Sequence, residues 1–427
     1  MPKGFHLLVA AQFLSALADN ALLIVAIALL EIQGLPGWWA PLLKLFFVVS
    51  YVVLAPFVGP LADAIPKARL MAWMNATKAL GVAAMFAGMH PALAFGIVGL
   101  AAAAYAPAKY GLVTEMVTAD RLVAANGWIE VAVVAAVLLG AVFGGALVSD
   151  VAGVVDGHVR DAIAETLGGN WPVPTYTFSL LVLLAIYALA SLLNIGIPDS
   201  GARYARANID LRAMLRTFQH ANRTLWRDRQ GGLSLAVTTL LWGVAATLQF
   251  AVLRWGVQVL GLNLAQSAYL QALVAVGLIG GAAFAGRWVR IDVVHRLLPI
   301  GIVLGLSLLS VTFIDSVWVA APVLVAVGAL GGFLLVPMNA LLQHRGYGLL
   351  SAGHSIAVQG FNENASVLCA LGFYSALIAW GAPITSVMMG FGVAIAAALA
   401  VLGIRFRAGS ARPVMPDEGE GSQLRAR

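Results

Sequence analysis

Charged residues are scarce in this chain. Only 10% of its 427 residues are Asp, Glu, Lys or Arg, whereas 61% are hydrophobic and the mean hydropathy is +0.92. Because soluble domains are about a quarter charged, a soluble globular fold is excluded. A membrane-spanning helix needs about 20 mainly apolar residues, so a chain of this length has room for about a dozen of them.

Residues that carry catalysis or bind metals are also scarce. The one cysteine, Cys369, lies in an apolar run, which excludes a disulfide framework and a cysteine-based metal site. No pair of histidines has metal-site spacing, and no histidine precedes an aspartate by five positions, as acyltransferases of the H-x4-D type require. The stretch "GHSIA" at Gly353 lacks the last glycine of a nucleophile elbow. We therefore predict no enzyme activity, no metal and no cofactor.

Long apolar runs predict an all-α polytopic membrane protein with 12 transmembrane helices. The few polar interruptions inside these runs do not shorten any of them below the length that spans a bilayer. The predicted spans are 4–31, 42–62, 68–89, 92–113, 121–149, 176–197, 233–260, 266–286, 296–314, 317–341, 351–378 and 382–404.

The basic residues predict the orientation of these spans. With the N-terminus inside the cell, 20 of the 25 lysines and arginines fall in inner segments, and Arg160 alone falls in an outer loop. The positive-inside rule therefore places both termini in the cytoplasm. The pI near 9.6 then reflects membrane topology, and we predict no nucleic-acid partner.

The spans divide into two six-helix halves, 1–197 and 233–404, followed by a disordered cytoplasmic tail, 405–427. Between the halves, 198–232 forms a cytoplasmic linker with Leu211, Leu215, Phe218 and Leu225 at helical spacing. This spacing fits an amphipathic helix on the membrane surface, or a solvated linker. The segments that begin at 107 and 337 echo each other, so the pattern favours the major facilitator architecture.

Polar residues inside the predicted spans share helix faces. Gln12, Ser15 and Asp19 recur at i, i+3 and i+7 in span 1, which is one stripe of a helix. Polar groups in hydrocarbon are costly, so these stripes predict a shared interior or cavity. The other candidates are Asn20 in span 1, Asn75 and Lys78 in span 3, Tyr105 and Lys109 in span 4, Asn126 and Glu130 in span 5, Gln249 and Arg254 in span 7, and Gln359, Asn362 and Glu363 in span 11.

The charges embedded in the spans nearly balance. Buried charges must be paired or become neutral, so we expect ion pairs that bridge the two halves. Lys44 lies near the outer end of span 2, where its ammonium can reach the interface, and we favour no role for it in the cavity. A static network that only holds the helices together is the alternative. The acids are Asp19, Glu130 and Glu363, and the remaining bases are Lys78, Lys109 and Arg254.

The loop "GPLADAIPKARLM", 59–71, resembles the signature loop of the major facilitator superfamily, G-x-L-A-D followed by basic residues. The resemblance implies that Asp63 acts in a conformational latch by capping a neighbouring helix. Lys67 and Arg69 are the basic members of the loop, and we expect Arg69 to be the partner of Asp63. Pro60 and Pro66 depart from the usual pattern.

The stretches "AQFLSALADNALL", "AAAAYAPAKYG", "LVAANGWIE", "VPMNALLQHRG" and "AVQGFNENASVL" resemble the bacterial lysophospholipid transporter family over most of 8–404. The resemblance implies that lysophosphatidylethanolamine and related lysolipids move from the outer to the inner leaflet of the bacterial inner membrane, without obvious ion coupling. A cytoplasmic acyltransferase and acyl-carrier-protein synthetase then restores the diacyl lipid.

The resemblance also implies functional positions. They are Asp19, Asn20, Lys109, Glu130 and Glu363. The chain departs from the family in span 7, where Gln249 stands at a position that tends to be arginine, and Arg254 lies five residues further on.

We predict that a monomer transports lysophospholipid by alternating access. Lys78, Lys109 or Arg254 would bind the phosphate, and Glu130 or Glu363 would bind the amine. A proton-coupled exporter of drugs or metabolites is the alternative, in which Asp19 or Glu130 would titrate during transport.

Overall fold

The computed structural model describes residues 1–35, 39–166, 174–202, 204 and 210–410. The regular structure of this part of the chain is entirely helical, with fourteen α-helices and two short 3-10 helices, Ala119–Arg121 and Ile291–Leu297. The helices are α1 (Lys3–Ile32), α2 (Trp39–Ala64), α3 (Lys67–Phe86), α4 (Pro91–Met116), α5 (Leu122–Leu147), α6 (Asp150–Thr166), α7 (Thr177–Ile195), α8 (Leu211–Arg227), α9 (Arg229–Gln258), α10 (Leu264–Trp288), α11 (Leu298–Val311), α12 (Val317–Leu349), α13 (Ala352–Ala379) and α14 (Ile384–Ser410).

Twelve of these helices occupy the positions of the twelve predicted spans, and α6 and α8 are the additional two. Within the described ranges, ten helices are long and apolar enough to cross a membrane. The predicted spans outside that set are α3 and α13, because α3 carries Lys67, Arg69 and Lys78 and α13 carries a cluster of amides with Glu363.

Glycines bring the backbones of α10 and α12 into direct contact. A Cβ atom added at Gly277 or Gly281 would collide with backbone atoms of Val325 or Ala329 of α12, and one at Gly328 would collide with Val274 of α10. Without a hydrophobic driving force between helices in lipid, such close backbone packing supplies much of the association energy. In the first half, Gly140 and Gly144 of α5 pack in the same way against α1.

One end of the bundle, called the basic end, contains the α2–α3 turn, the end of α4 and the beginning of α13. Gly59 of α2 lies against His354, and Gly111 of α4 lies against Ala352. Gly127 near the start of α5 lies against Gly286 near the end of α10, so helices of the two halves meet directly at this end.

Two amphipathic helices complete the fold. α6 lies in the predicted outer loop, and its buried Asp156 accepts hydrogen bonds from the backbone N–H groups of Tyr176 (3.0 Å) and Phe178 (2.8 Å). These bonds satisfy two backbone donors in the first turn of α7 and hold the loop against the bundle. Each of the two carboxylate oxygens accepts one of these hydrogen bonds, so a single side chain satisfies both donors.

α8 occupies the position of the expected amphipathic helix. Its N-terminus is capped by Asp210, which accepts from the N–H groups of Arg212 and Ala213. Phe218, Ala221 and Leu225 are buried against side chains of α2, α12 and α13, so this part of the apolar face packs on protein and not on lipid.

The C-terminal boundary differs from the prediction. α14 continues to Ser410, six residues beyond the predicted end of the last span, and the rest of the predicted tail, 411–427, lies outside the described residues.

The glycine contact predicts a sharp difference between two adjacent residues. In a helix, Gly→Ala normally gains about 0.5–1 kcal/mol, but overpacking against backbone costs about 1–3 kcal/mol or more. We expect Gly281→Ala to lower the midpoint of thermal unfolding of the purified protein, because its Cβ meets the carbonyl of Ala329. Gly280→Ala is the control, since a Cβ there has open space. Equal midpoints for the two variants would contradict this packing.

Candidate functional site

A cavity of about 350 Å³ lies between α1, α2, α4, α5, α9 and α13, and we call it the central cavity. Its walls are mostly apolar and aromatic, with contributions from Phe47, Tyr51, Val133 and Trp242. The polar groups that line it come from four helices: Gln12, Asp19 and Asn20 of α1, Lys44 of α2, Lys109 of α4, and Gln359, Glu363 and Asn364 of α13. The cavity therefore combines apolar surface with charges of both signs.

Asp19 is held on the cavity wall by two helices behind it. Lys78 Nζ of α3 lies 2.7 Å from Asp19 Oδ2, and the hydroxyl of Tyr187 of α7 donates to Oδ1 at 2.7 Å. Lys78 also donates to Ser15 at 3.0 Å, and Ser15 in turn donates to Asn75 at 2.7 Å. The ammonium is fully buried, whereas 17% of the Asp19 side chain remains exposed, on the cavity side.

Lys109 presents a second ammonium group to the cavity from α4. It is buried, and its Nζ lies 4.1 Å from the centre of the Tyr110 ring, within cation–π range. The carboxylates of Glu130, Asp19 and Glu363 interact electrostatically with Lys109. Glu130 itself is buried and is absent from the cavity lining.

Glu363 faces Lys109 from the other half of the bundle. Gln359 Nε2 donates to Glu363 Oε1 at 2.8 Å and to Asn339 Oδ1 of α12 at 2.9 Å, which fixes both side chains. Gln359 Oε1 is buried without a hydrogen-bond partner among the described residues. Because a buried amide normally satisfies its oxygen, this atom is an acceptor available to a ligand.

At the end opposite the basic end, Lys44 of α2 donates to Gln249 Oε1 of α9 at 3.3 Å. The contact joins the two halves at the level of the cavity mouth. The sequence had favoured no cavity role for Lys44, but its side chain lines the cavity. The physical reason is that Lys44 lies in the first turns of α2, on the face directed to α9 and not to lipid.

The basic end is closed by Asp63 of α2, which contacts the first turn of α13. Its carboxylate accepts from Ser351 Oγ at 2.5 Å and from the Gly353 N–H at 2.9 Å, and it lies 2.8 Å from His354 Nδ1. Helix N-termini favour negative charge because their N–H groups point outward. We call these four residues the gate network, and it links the first half to the second.

Two neighbouring contacts support the gate network. Lys67 pairs with Glu115 of α4 at 2.6 Å and with Asp63 at 3.4 Å. The Tyr204 hydroxyl also donates to Glu115, and burial together with this hydrogen bond raises the pKa of Tyr204 well above its usual value.

Further along the same interface, Asn126 of α5 and Gln343 of α12 exchange two amide hydrogen bonds of 2.8 Å. Both side chains are buried. The basic end is thus sealed by polar contacts at two places, between α2 and α13 and between α5 and α12.

The sequence matches the family model of the Major Facilitator Superfamily over residues 8–366. It is 40% identical to the lysophospholipid transporter LplT of Citrobacter koseri over 94% of this chain and 95% of that protein. For the lysophospholipid transporter LplT of an Enterobacter species, the identity is 39% over 94% of this chain and 96% of the relative. The chain belongs to the lysophospholipid transporter family of the major facilitator superfamily. This membership confirms the family predicted from the sequence and agrees with a transporter rather than an enzyme.

Solved structures confirm the major facilitator fold. A bacterial homologue of the iron transporter ferroportin, in an outward-facing state, has a TM-score of 0.70 at 16% identity and covers 96% of this chain and 100% of that one. The E. coli fucose:proton symporter FucP has a TM-score of 0.69 at 16% identity and covers 95% and 98%. At such low identity these likenesses concern the fold alone. The family match and this fold together describe a multi-pass membrane transporter of the major facilitator superfamily.

The structure brings most of the predicted site residues of this lysophospholipid transporter family member together, but not all of them. Asn362 accepts from Trp226 Nε1 and donates to Asn222, so it faces α8 and not the cavity. Arg254 is exposed and is absent from the cavity lining. Asn126 lies in the interface at the basic end. The predicted residues that line the cavity are Asp19, Asn20, Lys109, Gln359 and Glu363, with Lys78 behind Asp19.

The predicted partner of Asp63 was wrong. Its basic partners are Lys67 and His354, whereas Arg69 is exposed. Two residues along a helix turn the side chain by about 200°, so Arg69 lies away from the face on which Lys67 reaches Asp63. Sequence reasoning also missed Glu115 and Tyr187, whose partners come from helices that are distant in the chain.

The Asp19–Lys78 pair predicts a double-mutant effect on stability. Removing one partner leaves a buried charge without compensation, which costs about 3–5 kcal/mol, whereas replacing both can be nearly neutral. We expect Asp19→Asn and Lys78→Met each to lower the thermal unfolding midpoint by more than the double variant does. Additive losses in the double variant would contradict a direct pairing of the two charges.

The gate network predicts a change in accessibility at the basic end. In a Cys369→Ser background, Ala352→Cys places a thiol at a buried position beside Gly111 at the basic end. Hydrogen bonds to a charged group contribute about 1.5–3 kcal/mol each, so Asp63→Ala should raise the rate of maleimide labelling at this thiol about tenfold or more. Asp120→Ala is the control. Asp120 is also an aspartate, but it is exposed and its ion pair, at 3.9 Å from Arg121, lies outside the gate network. An unchanged rate in the Asp63 variant would contradict the gate.

Proposed function

We propose that this protein transports lysophosphatidylethanolamine and related lysolipids from the outer to the inner leaflet of the bacterial inner membrane. The observation that carries the proposal is the similarity of nearly the whole chain, at 39–40% identity, to proteins named lysophospholipid transporter. The central cavity supplies the chemistry for such a substrate.

A lysophospholipid has a phosphate, a polar headgroup and one acyl chain. The cavity volume of about 350 Å³ lies at the small end of ligand pockets, so it suits a headgroup and not a whole lipid. In this proposal the acyl chain lies along the apolar walls or in the adjoining lipid. Both signs of charge in the cavity fit a zwitterionic headgroup.

Lys109 is the proposed phosphate ligand and Glu363 the proposed ammonium ligand. Lys109 lines the cavity, whereas Lys78 is already paired with Asp19. Glu363 also lines the cavity, and Gln359 holds it in place. Lys44 stands at the mouth as a second base that meets the substrate on entry.

Orientation in the membrane follows from the charge distribution. The α2–α3 turn and the ends of α10 and α12 hold Lys67, Arg69, Arg287 and Arg345, which supports a cytoplasmic location of the basic end under the positive-inside rule. Both termini then lie in the cytoplasm. The contacts of the gate network close this side, so substrate enters the cavity from the outer leaflet.

Transport by alternating access requires the basic end to open. Rocking of one half against the other is the general mechanism for internal-repeat transporters. Between the halves at the basic end, hydrogen bonds to Asp63 and Asn126 accompany close glycine contacts such as that of Gly127 with Gly286, and water can replace these hydrogen bonds when the halves separate. After release, a cytoplasmic acyltransferase and acyl-carrier-protein synthetase would consume the product.

One chain forms the complete cavity, which supports a monomer.

Charge-neutral substitutions in the cavity test the proposal. Lys109→Gln and Glu363→Gln should each lower the initial rate of lysophosphatidylethanolamine uptake into spheroplasts about tenfold or more, because each removes a charged hydrogen bond to the substrate. Arg254→Gln is the matched control, since Arg254 is charged and lies in a spanning helix but outside the cavity lining. Expression of all variants is normalised by immunoblot.

Two outcomes would overturn the proposal. Normal uptake in both cavity variants would remove the assigned binding roles. Loss of transport on collapse of the proton gradient, together with no lysolipid flipping by the purified protein in liposomes, would favour the proton-coupled exporter instead.

A further inference from the structure

A second cavity, of about 860 Å³, lies at the basic end among α9, α11 and α14. It shares no lining residue with the central cavity, and its walls come from α9, the 3-10 helix Ile291–Leu297, α11 and α14. This second cavity has no role in the proposed transport of lysolipid through the central cavity. We call it the basic groove.

The polar lining of the basic groove is cationic. Arg229 begins α9, and His295 and Arg296 belong to the 3-10 helix that leads into α11. No carboxylate lines the groove among the residues that the structure describes. The central cavity, in contrast, carries both signs of charge, so the two cavities suit different ligands: a zwitterion in the central cavity and an anion in the basic groove.

The first arginine is held in a fixed position. Arg229 Nη2 donates to the backbone carbonyl of Phe406 at 2.7 Å, and its guanidinium lies 4.4 Å from the centre of the Phe406 ring. The His295 ring lies 5.6 Å from the same ring. Arg229 therefore forms a fixed wall of the groove beside Phe406 and His295.

The rest of the groove is apolar and reaches the lipid-facing surface. Leu298 and Ile302 of α11 and Leu399 of α14 line its depth, and Ile404, on its rim, is 68% exposed. A volume of 860 Å³ is far larger than a free phosphate requires, and its apolar wall would stay in contact with water if the ligand were only an inorganic ion.

We propose that the basic groove binds the phosphate headgroup of a diacyl anionic phospholipid, with the upper part of an acyl chain along α11 and α14. Basic pockets between helices on the cytoplasmic side of a membrane are suited to acidic headgroups. The basic lining selects phosphatidylglycerol over phosphatidylethanolamine, whose ammonium would be repelled by Arg296.

Native mass spectrometry of the purified full-length protein tests the proposal with phosphatidylglycerol and phosphatidylethanolamine of identical acyl chains. Because each arginine near an acidic lipid contributes about a fivefold change in affinity, we expect Arg296→Gln to weaken phosphatidylglycerol binding about fivefold. Arg290→Gln is the matched control. It lies in the same connection, is exposed and pairs with Asp292 outside the groove.

The same experiment tests whether the lipid binds in the central cavity instead, and whether a free anion competes for the basic groove. Lys109→Gln should leave phosphatidylglycerol binding unchanged, although it is expected to impair transport, so the two proposals fail independently. Excess inorganic phosphate should not displace the lipid. Four outcomes would each overturn the lipid site. Two concern the lipid: equal binding of the two lipids, or displacement of the lipid by inorganic phosphate. The other two concern the variants: equal loss of binding in the Arg290 and Arg296 variants, or loss of binding in the Lys109 variant.

Discussion

The cost of a charge in the bilayer is the constraint on which this structure depends. Asp19 sits in the middle of a spanning helix, where an isolated carboxylate costs roughly 2.5–3.5 kcal/mol or more. Lys78 and Tyr187 compensate for it from α3 and α7. The pair therefore fixes the mutual rotation of three helices in the first half. It also leaves one face of the carboxylate toward the cavity, so the same bond stabilises the fold and shapes the site.

Contacts within the halves rely on close backbone packing, whereas those between the halves at the basic end add hydrogen bonds to such packing, as at Gly127 and Gly286. Inside the halves, α10 packs on α12 and α5 on α1 through glycines whose neighbours are backbone atoms. Such contacts tolerate little sliding, because interiors are close-packed. Between the halves at the basic end, Asp63 and the Asn126–Gln343 pair supply hydrogen bonds that water can replace. The structure thus separates rigid units from a surface that can open.

Helical periodicity predicted which residues share a face, but not what lies opposite that face. Gln359 and Glu363 are about 40° apart around α13 and both reach the cavity. Asn362 is about 100° from Glu363, at the border of the stripe, and the docking of α8 decides that it leaves the cavity. Lys44 was not expected in the cavity but lines it, because its contact with Gln249 depends on the angle between α2 and α9. Local spacing contains no information on such tertiary contacts.

The position of α8 links the connection between the halves to the closing of the basic end. Its hydrogen bonds run to α13, through Asn222 and Trp226 to Asn362, while Asp228 at its end pairs with Arg345 of α12 at 2.6 Å. Its contact with α2 is apolar and passes through Ala55. Hydrogen bonds and ion pairs are directional, whereas apolar contacts are not. The polar contacts with the second half therefore set the orientation of α8, and its contact with the first half is only apolar. When the halves separate at this end, the contact of α8 with α2 is the one that must open together with the gate network.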